Sequence, residues 1–143
     1  MKRQILVLTA LCFFTFIAVS SSLAEVKSAK DLAKAKKAEL NNTRWSILVM
    51  PSDSRGRAEA DVLSFIDGKF GSSNLENAGF ARTDFTVRID EQDETVIWET
   101  MQTDKDGNHA FWRGDVKEGS MRGVLTKIDT RGRNYNFTFA SQK

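Results

Sequence analysis

The stretch Trp112-Arg113-Gly114-Asp115-Val116-Lys117-Glu118-Gly119-Ser120-Met121-Arg122-Gly123-Val124-Leu125 decides the fold. Apolar or small residues alternate with polar ones on both sides of Glu118-Gly119, which is the signature of strands with one buried face. A two-residue turn at Glu118-Gly119 sets Val116 against Met121, Gly114 against Gly123 and Trp112 against Leu125. The same register sets Asp115 against Arg122 on the other face. One pairing thus yields an apolar face and an outward ion pair together.

The same period runs outward in both directions. Trp45-x-Ile47-x-Val49, Phe85-x-Val87-x-Ile89, Val96-x-Trp98 and Tyr135-x-Phe137-x-Phe139 alternate in the same way. Turn chemistry separates them at Asp67-Gly68, Gln92-Asp93, Asp106-Gly107 and Arg131-Gly132. A loop at Thr130-Arg131-Gly132 pairs Leu125 with Phe137 and Gly123 with Phe139. A turn at Gln92-Asp93 pairs Ile89 with Val96 and Val87 with Trp98. At Asp106-Gly107 a three-residue loop including Asn108 sets Trp112 against Gln102 and keeps Trp98 inside, whereas a two-residue loop sets Trp112 against Met101. The first unites all the faces. With Asp61 to Ile66 and a weaker segment from Phe70 to Phe80, about eight strands are expected, and no stretch after residue 42 shows helical periodicity. An antiparallel up-and-down meander with one apolar face is closed most simply as an all-β barrel, which removes its edges.

What precedes the barrel differs in kind. Lys2 and Arg3, an apolar run from Ile5 to Val19 and Ser22-x-Ala24 read as a secretory signal peptide over residues 1–24, the apolar run being shorter than a bilayer requires. Of 143 residues, 119 then remain; with Lys2 and Arg3 gone, 19 basic side chains face 19 acidic ones, and Cys12 goes too. The expected product is secreted or periplasmic, neutral and free of cysteine, with no thiolate chemistry and no net charge favouring nucleic acid. Residues 25–42 read as a basic N-terminal helix or linker, opened by the capping box Ser28-x-x-Asp31 and ending near Leu40. Lys27, Lys30, Lys34, Lys36 and Lys37, with Arg44, outnumber Glu25, Asp31 and Glu39 there, so contact with an anionic membrane surface is one expectation for it. Residues 43–143 form the barrel domain.

This layout resembles the lipocalin and calycin superfamily. Asn41-Asn42-Thr43-Arg44-Trp45 stands where lipocalins carry Gly-x-Trp, with Thr43 in the glycine's place. Thr83-Asp84-Phe85 is similar to the family's Thr-Asp-Tyr, though at mid-chain. Arg131 or Arg133 corresponds to the arginine that covers the family's tryptophan. The resemblance implies a secreted barrel that holds a small hydrophobic molecule.

Catalytic chemistry is sparse. His109 is alone, no Gly-x-Ser-x-Gly elbow exists, and no catalytic residue, metal site or cofactor is assigned. Asp104-Lys105-Asp106-Gly107-Asn108 lacks the closing Glu of a calcium loop. Glu99 is expected to point outward opposite Thr86, without a second catalytic group. Arg113-Gly114-Asp115 lies within a strand, which does not present it as an adhesion loop.

The interior is the remaining candidate. Trp45, Phe85, Val87, Trp98, Trp112, Met121, Leu125, Phe137 and Phe139 face it, Ala110, Gly114 and Gly123 are small, and Thr100 and Gln102 are polar. Two readings stay open. In one, a cavity walled by Trp45, Trp98, Trp112 and Phe137, with Thr100 and Gln102 as polar anchors, holds an apolar or amphipathic ligand. In the other, the aromatics fill the barrel, and the protein works through its outer surface as a cell-envelope interaction module or inhibitor. Neither reading sets the oligomeric state.

Overall fold

The computed structural model describes residues 17–53, 55–90 and 92–142, with side chains from Ser28 onward. The elements run α1 (Ile17–Leu40), β1 (Thr43–Pro51), β2 (Glu59–Ile66), β3 (Lys69–Ser72), α2 (Ser73–Asn77), β4 (Thr83–Asp90), β5 (Thr95–Thr103), β6 (His109–Lys117), β7 (Ser120–Ile128) and β8 (Asn134–Ser141). The eight strands form one closed antiparallel barrel in sequence order, with β8 pairing back onto β1. Closure leaves no long sheet edge to cap.

The deciding hairpin forms as its sequence dictates. Val116 faces Met121, Gly114 faces Gly123 and Trp112 faces Leu125; Asp115 stands opposite Arg122, but the expected ion pair does not form, and Asp115 Oδ1 is buried without a hydrogen-bond partner among the described residues. Glu118 and Gly119 both take positive φ, 50° and 73°, the geometry that a two-residue turn needs to match strand twist. The pairs Leu125–Phe137, Gly123–Phe139, Ile89–Val96 and Val87–Trp98 also stand as expected.

Three local expectations are corrected. The hairpin between β5 and β6 has a five-residue loop, so Trp112 faces Thr100 and Gln102 faces Ala110, two residues from the expected register. The cause is Asp104: its carboxylate accepts from the N–H groups of Asp106 and Asn108, and Gly107 supplies a φ of 89°. A shift of two preserves the inward face. The segment from Phe70 to Phe80 is a strand only as far as Ser72, where a helical turn begins. Ser72 Oγ caps it by accepting from Leu75 N–H, and Asp61 accepts from Asn74 N–H. Five residues are too few to show a helical period. Helix α1, finally, runs straight through Ser28, so the capping box does not open it; its Ala, Lys, Glu and Leu content, free of Pro and Gly, favours continuation. Residues 1–16 of the expected export signal lie outside the described residues, and Ala24 lies within α1.

The two barrel ends are closed differently. Near the start of β1, Leu40 enters the core, and Lys37 donates to the carbonyl of Phe85 while its ammonium stands 4.6 Å from the Phe85 ring centroid. At the other end α2 inserts Leu75, 4% exposed. The wall is weakest around the start of β4, which pairs with β3 only through Lys69–Asp84 and Phe70–Thr83. Its ladder to β5 begins only at Phe85–Thr100. Side chains hold the intervening segment. Thr100 Oγ1 donates to Asp84 O, and Gln102 Nε2 to Ala81 O. Arg82 binds Ser64 Oγ and Glu76 on the other side.

Candidate functional site

The inner face is built of rings. Phe65 lies 5.0 Å from both Phe85 and Trp98 and 5.3 Å from Phe70. Phe70 lies 5.5 Å from Trp112, which is 5.4 Å from Phe139. Edge and tilted contacts of this kind add about 0.5–1.5 kcal/mol per pair to the burial of the rings themselves. The six rings come from six strands and are at most 2% exposed. Phe65 and Phe70 were not among the interior residues expected from sequence: Phe70 sits on a four-residue strand too short to display alternation, and in β2 Leu63, Ser64 and Phe65 are buried in succession, which breaks the period around Phe65.

The small residues of the inner face are seats for these rings. A Cβ added to Gly114 would stand 2.5 Å from Trp98 Nε1, and one added to Gly123 would stand 2.5 Å from Phe139 Cζ. The indole and the phenyl therefore rest on bare backbone. The space expected beside these glycines for a ligand is taken up by side chains of the chain itself.

Of the six residues expected to line a ligand cavity, Trp98, Gln102 and Trp112 are buried at 0–2% exposure, while Trp45, Thr100 and Phe137 are half-buried. Thr100 and Gln102 spend their hydrogen bonds on the backbone of the β4 segment, and Gln102 Oε1 accepts from Trp112 Nε1 at 3.2 Å. Trp45 Nε1 donates to Thr43 Oγ1, which in turn donates to Leu40 O, so this tryptophan helps fix the α1–β1 corner. Trp98 Nε1 is the exception: it is buried and has no hydrogen-bond partner among the described residues. Arg133, for which a position over the tryptophan was one expectation, instead binds Asp129 at 2.6 Å and lies over Tyr135 at the opposite barrel end from Trp45.

The outer wall carries a feature that alternation assigns to solvent. Met101, Phe111 and Val124 point outward from β5, β6 and β7 and are 42–48% exposed. They lie in an open groove of about 470 Å³, lined also by Thr86, Glu99, Arg113 and Thr126, which reaches Thr100 and Trp112 where β4 and β5 part. Glu99 and Arg113 face each other across β5 and β6 and approach to 3.5 Å. Three large apolar residues at outward parity were the available signal for this groove in the sequence. A second hollow of about 430 Å³ lies beside the junction of β1 and β8, lined by Pro51, Ser52, Asp53 and Asn134 to Phe137.

Elsewhere the polar chemistry is local. His109 Nδ1 lies 3.1 Å from Thr103 Oγ1. Among the described residues no group of three or more His, Cys, Asp and Glu side chains is placed to hold a metal ion, and no helix is long and apolar enough to cross a membrane. Asp129 takes backbone N–H bonds from Arg133 and Arg131, and these, with the Arg133 guanidinium, hold its carboxyl below the ordinary value. Asp104 is lowered chiefly by the Asn108 side chain, and Asp93 chiefly by Thr95. Each of these carboxylates stabilises a turn.

No protein-family model matches this chain, and neither a curated protein nor a solved structure matches it. What the structure establishes is the class: a closed eight-stranded antiparallel barrel with an aromatic interior and a helix at its N-terminal side.

Proposed function

We propose that this protein is an exported, non-enzymatic, lipocalin-like barrel that works through its outer wall as a protein-interaction module of the cell envelope. The observation that carries this reading is the pairing of a ring-filled interior with a solvent-facing groove floored by Met101, Phe111 and Val124. Exposed apolar groups clustered within one groove mark contact surfaces more often than isolated ones do. The test is affinity capture from envelope extract on the purified protein, alongside Phe111→Ser and a Thr100→Val, Gln102→Leu double variant. A stoichiometric partner lost only with Phe111→Ser supports the reading; a partner lost only with the interior variant overturns it.

One observation favours a second reading, in which the interior itself receives a small hydrophobic or amphipathic molecule. The orphaned indole N–H of Trp98 would bond an acceptor atom on a ligand that displaced part of the ring cluster. Titration of tryptophan fluorescence with fatty acids, retinoids and haem tests it; saturable quenching lost in Trp98→Phe supports it, and uniformly unchanged emission excludes it. For α1, Lys30 and Lys34 remain exposed while Lys37 is engaged on the barrel, which supports a proposed contact with an anionic membrane surface.

A further inference from the structure

We infer that the outer groove is an interface between two copies of this chain, packed face to face about a two-fold axis that runs parallel to β5 and β6 and midway between them. The inference rests on the outer-wall reading above and names the partner. The register carries it: Glu99 stands directly opposite Arg113, and Met101 directly opposite Phe111. Residues in direct register are equidistant from the seam between their strands. A two-fold axis along that seam therefore exchanges them, laying β5 of one protomer over β6 of its partner. Glu99 then faces Arg113 of the partner subunit, and Met101 faces Phe111 of the partner subunit.

One row further out the same operation holds. Thr86 is the β4 neighbour of Glu99, and Val124 is the β7 neighbour of Arg113. The axis places Thr86 and Val124 of the partner subunit on the same row at the flanks of the contact, where the closed barrel walls curve apart. Along these two rows no like charges are brought together; on the next row of the same face the axis relates Arg88 to Arg122 of the partner subunit, at flanks where the walls diverge. An isologous contact needs a patch that is complementary to itself, and an opposite-charge pair beside an apolar pair, both in direct register, has that property.

Energetics point the same way and set the scale. Within one protomer the Glu99–Arg113 contact is long, 3.5 Å, and both side chains are about half exposed, so it contributes little by itself. Face-to-face packing at the usual sheet spacing of about 10 Å would give each charge a second partner in a drier setting and remove Met101 and Phe111 from water. The apolar floor is only three residues deep, which places the contact at the small end of specific interfaces. The dimer is therefore weak and concentration-dependent.

Sedimentation equilibrium on the purified protein tests this, with circular dichroism to verify folding. Wild type is expected to dimerise with rising concentration, and Phe111→Ser to raise the dissociation constant at least about tenfold. Glu99→Arg alone sets arginine against arginine across the axis, and Arg113→Glu alone sets glutamate against glutamate, so each is expected to be monomeric. An equimolar mixture of the two restores opposite charges at both contacts and is expected to recover the dimer. Should a swap variant misfold, Met101→Ser takes its place beside Phe111→Ser. A wild type monomeric up to ~1 mM, a dimer indifferent to these changes, or a mixture of folded swap variants that stays monomeric overturns the inference. A monomeric wild type that still loses an envelope partner on Phe111→Ser overturns the dimer while the outer-wall reading stands.

Discussion

Trp98 lies with the edge of its indole against the bare Cα of Gly114, its direct neighbour across β5 and β6. The contact is so close that a single added methyl group has no place. Trp98 Nε1 is buried there without a hydrogen-bond partner among the described residues, so the barrel accepts an unsatisfied donor in exchange for dense ring packing.

Gly114→Ala is expected to destabilise the barrel by about 1–3 kcal/mol, the usual cost of overpacking a dense core. Urea denaturation followed by tryptophan emission reads it. A neutral Gly114→Ala would mean that the interior has room to yield.

Trp98→Phe and Trp112→Phe remove the same atoms from the same core but have different hydrogen-bond consequences. The first deletes an orphaned donor. The second deletes the donor to Gln102 Oε1 and leaves that buried oxygen unpaired. Trp112→Phe is therefore expected to cost more than Trp98→Phe by about 1–3 kcal/mol, measured as the difference between their unfolding free energies. Equal losses would refute the assignment.

Gln102→Leu removes the amide that supports Ala81 O and pairs with Trp112. Hydrogen exchange is expected to accelerate most at the start of β4, where the ladders to both neighbours are incomplete. A uniform acceleration over all strands would show that Gln102 supports the whole core instead of that segment.

Asp129, Asp104 and Asp93 have carboxyls lowered below their ordinary value by turn hydrogen bonds: from Arg133 N–H, the Asn108 side chain and Thr95 respectively. A depressed folded pKa contributes stability that is present above the unfolded value, about 4, and is lost as pH falls through the folded values. Stability to urea is expected to decline below about pH 4, and Asp129→Asn to shallow that decline. Asp93 is exposed while Asp104 and Asp129 are half-buried, and added salt is expected to reduce the part due to the exposed Arg133 charge.

The strands were legible because alternation is a local property. Trp112 to Leu125 carries its own turn and its own test of register, and a loop longer by two residues at Asp104 to Asn108 changed the pairing without changing any face. The short helix after Ser72 was not legible, since its cap depends on Asp61, a residue of a different strand. Of the expected cavity residues, Trp98, Gln102 and Trp112 were rightly read as inward. The outer groove was readable only as three apolar residues at outward positions.

Sequence by itself determined which side chains point inward, since that depends only on parity along each strand and on turns a few residues long. Tertiary structure alone decided what the inward side means. Gly114 and Gly123 are consistent with a cavity or with seats for rings, and the choice rests on how Phe65, Phe70, Phe85, Trp98, Trp112 and Phe139 divide one volume among six strands. Close packing is a property of that shared volume, and no single strand encodes it.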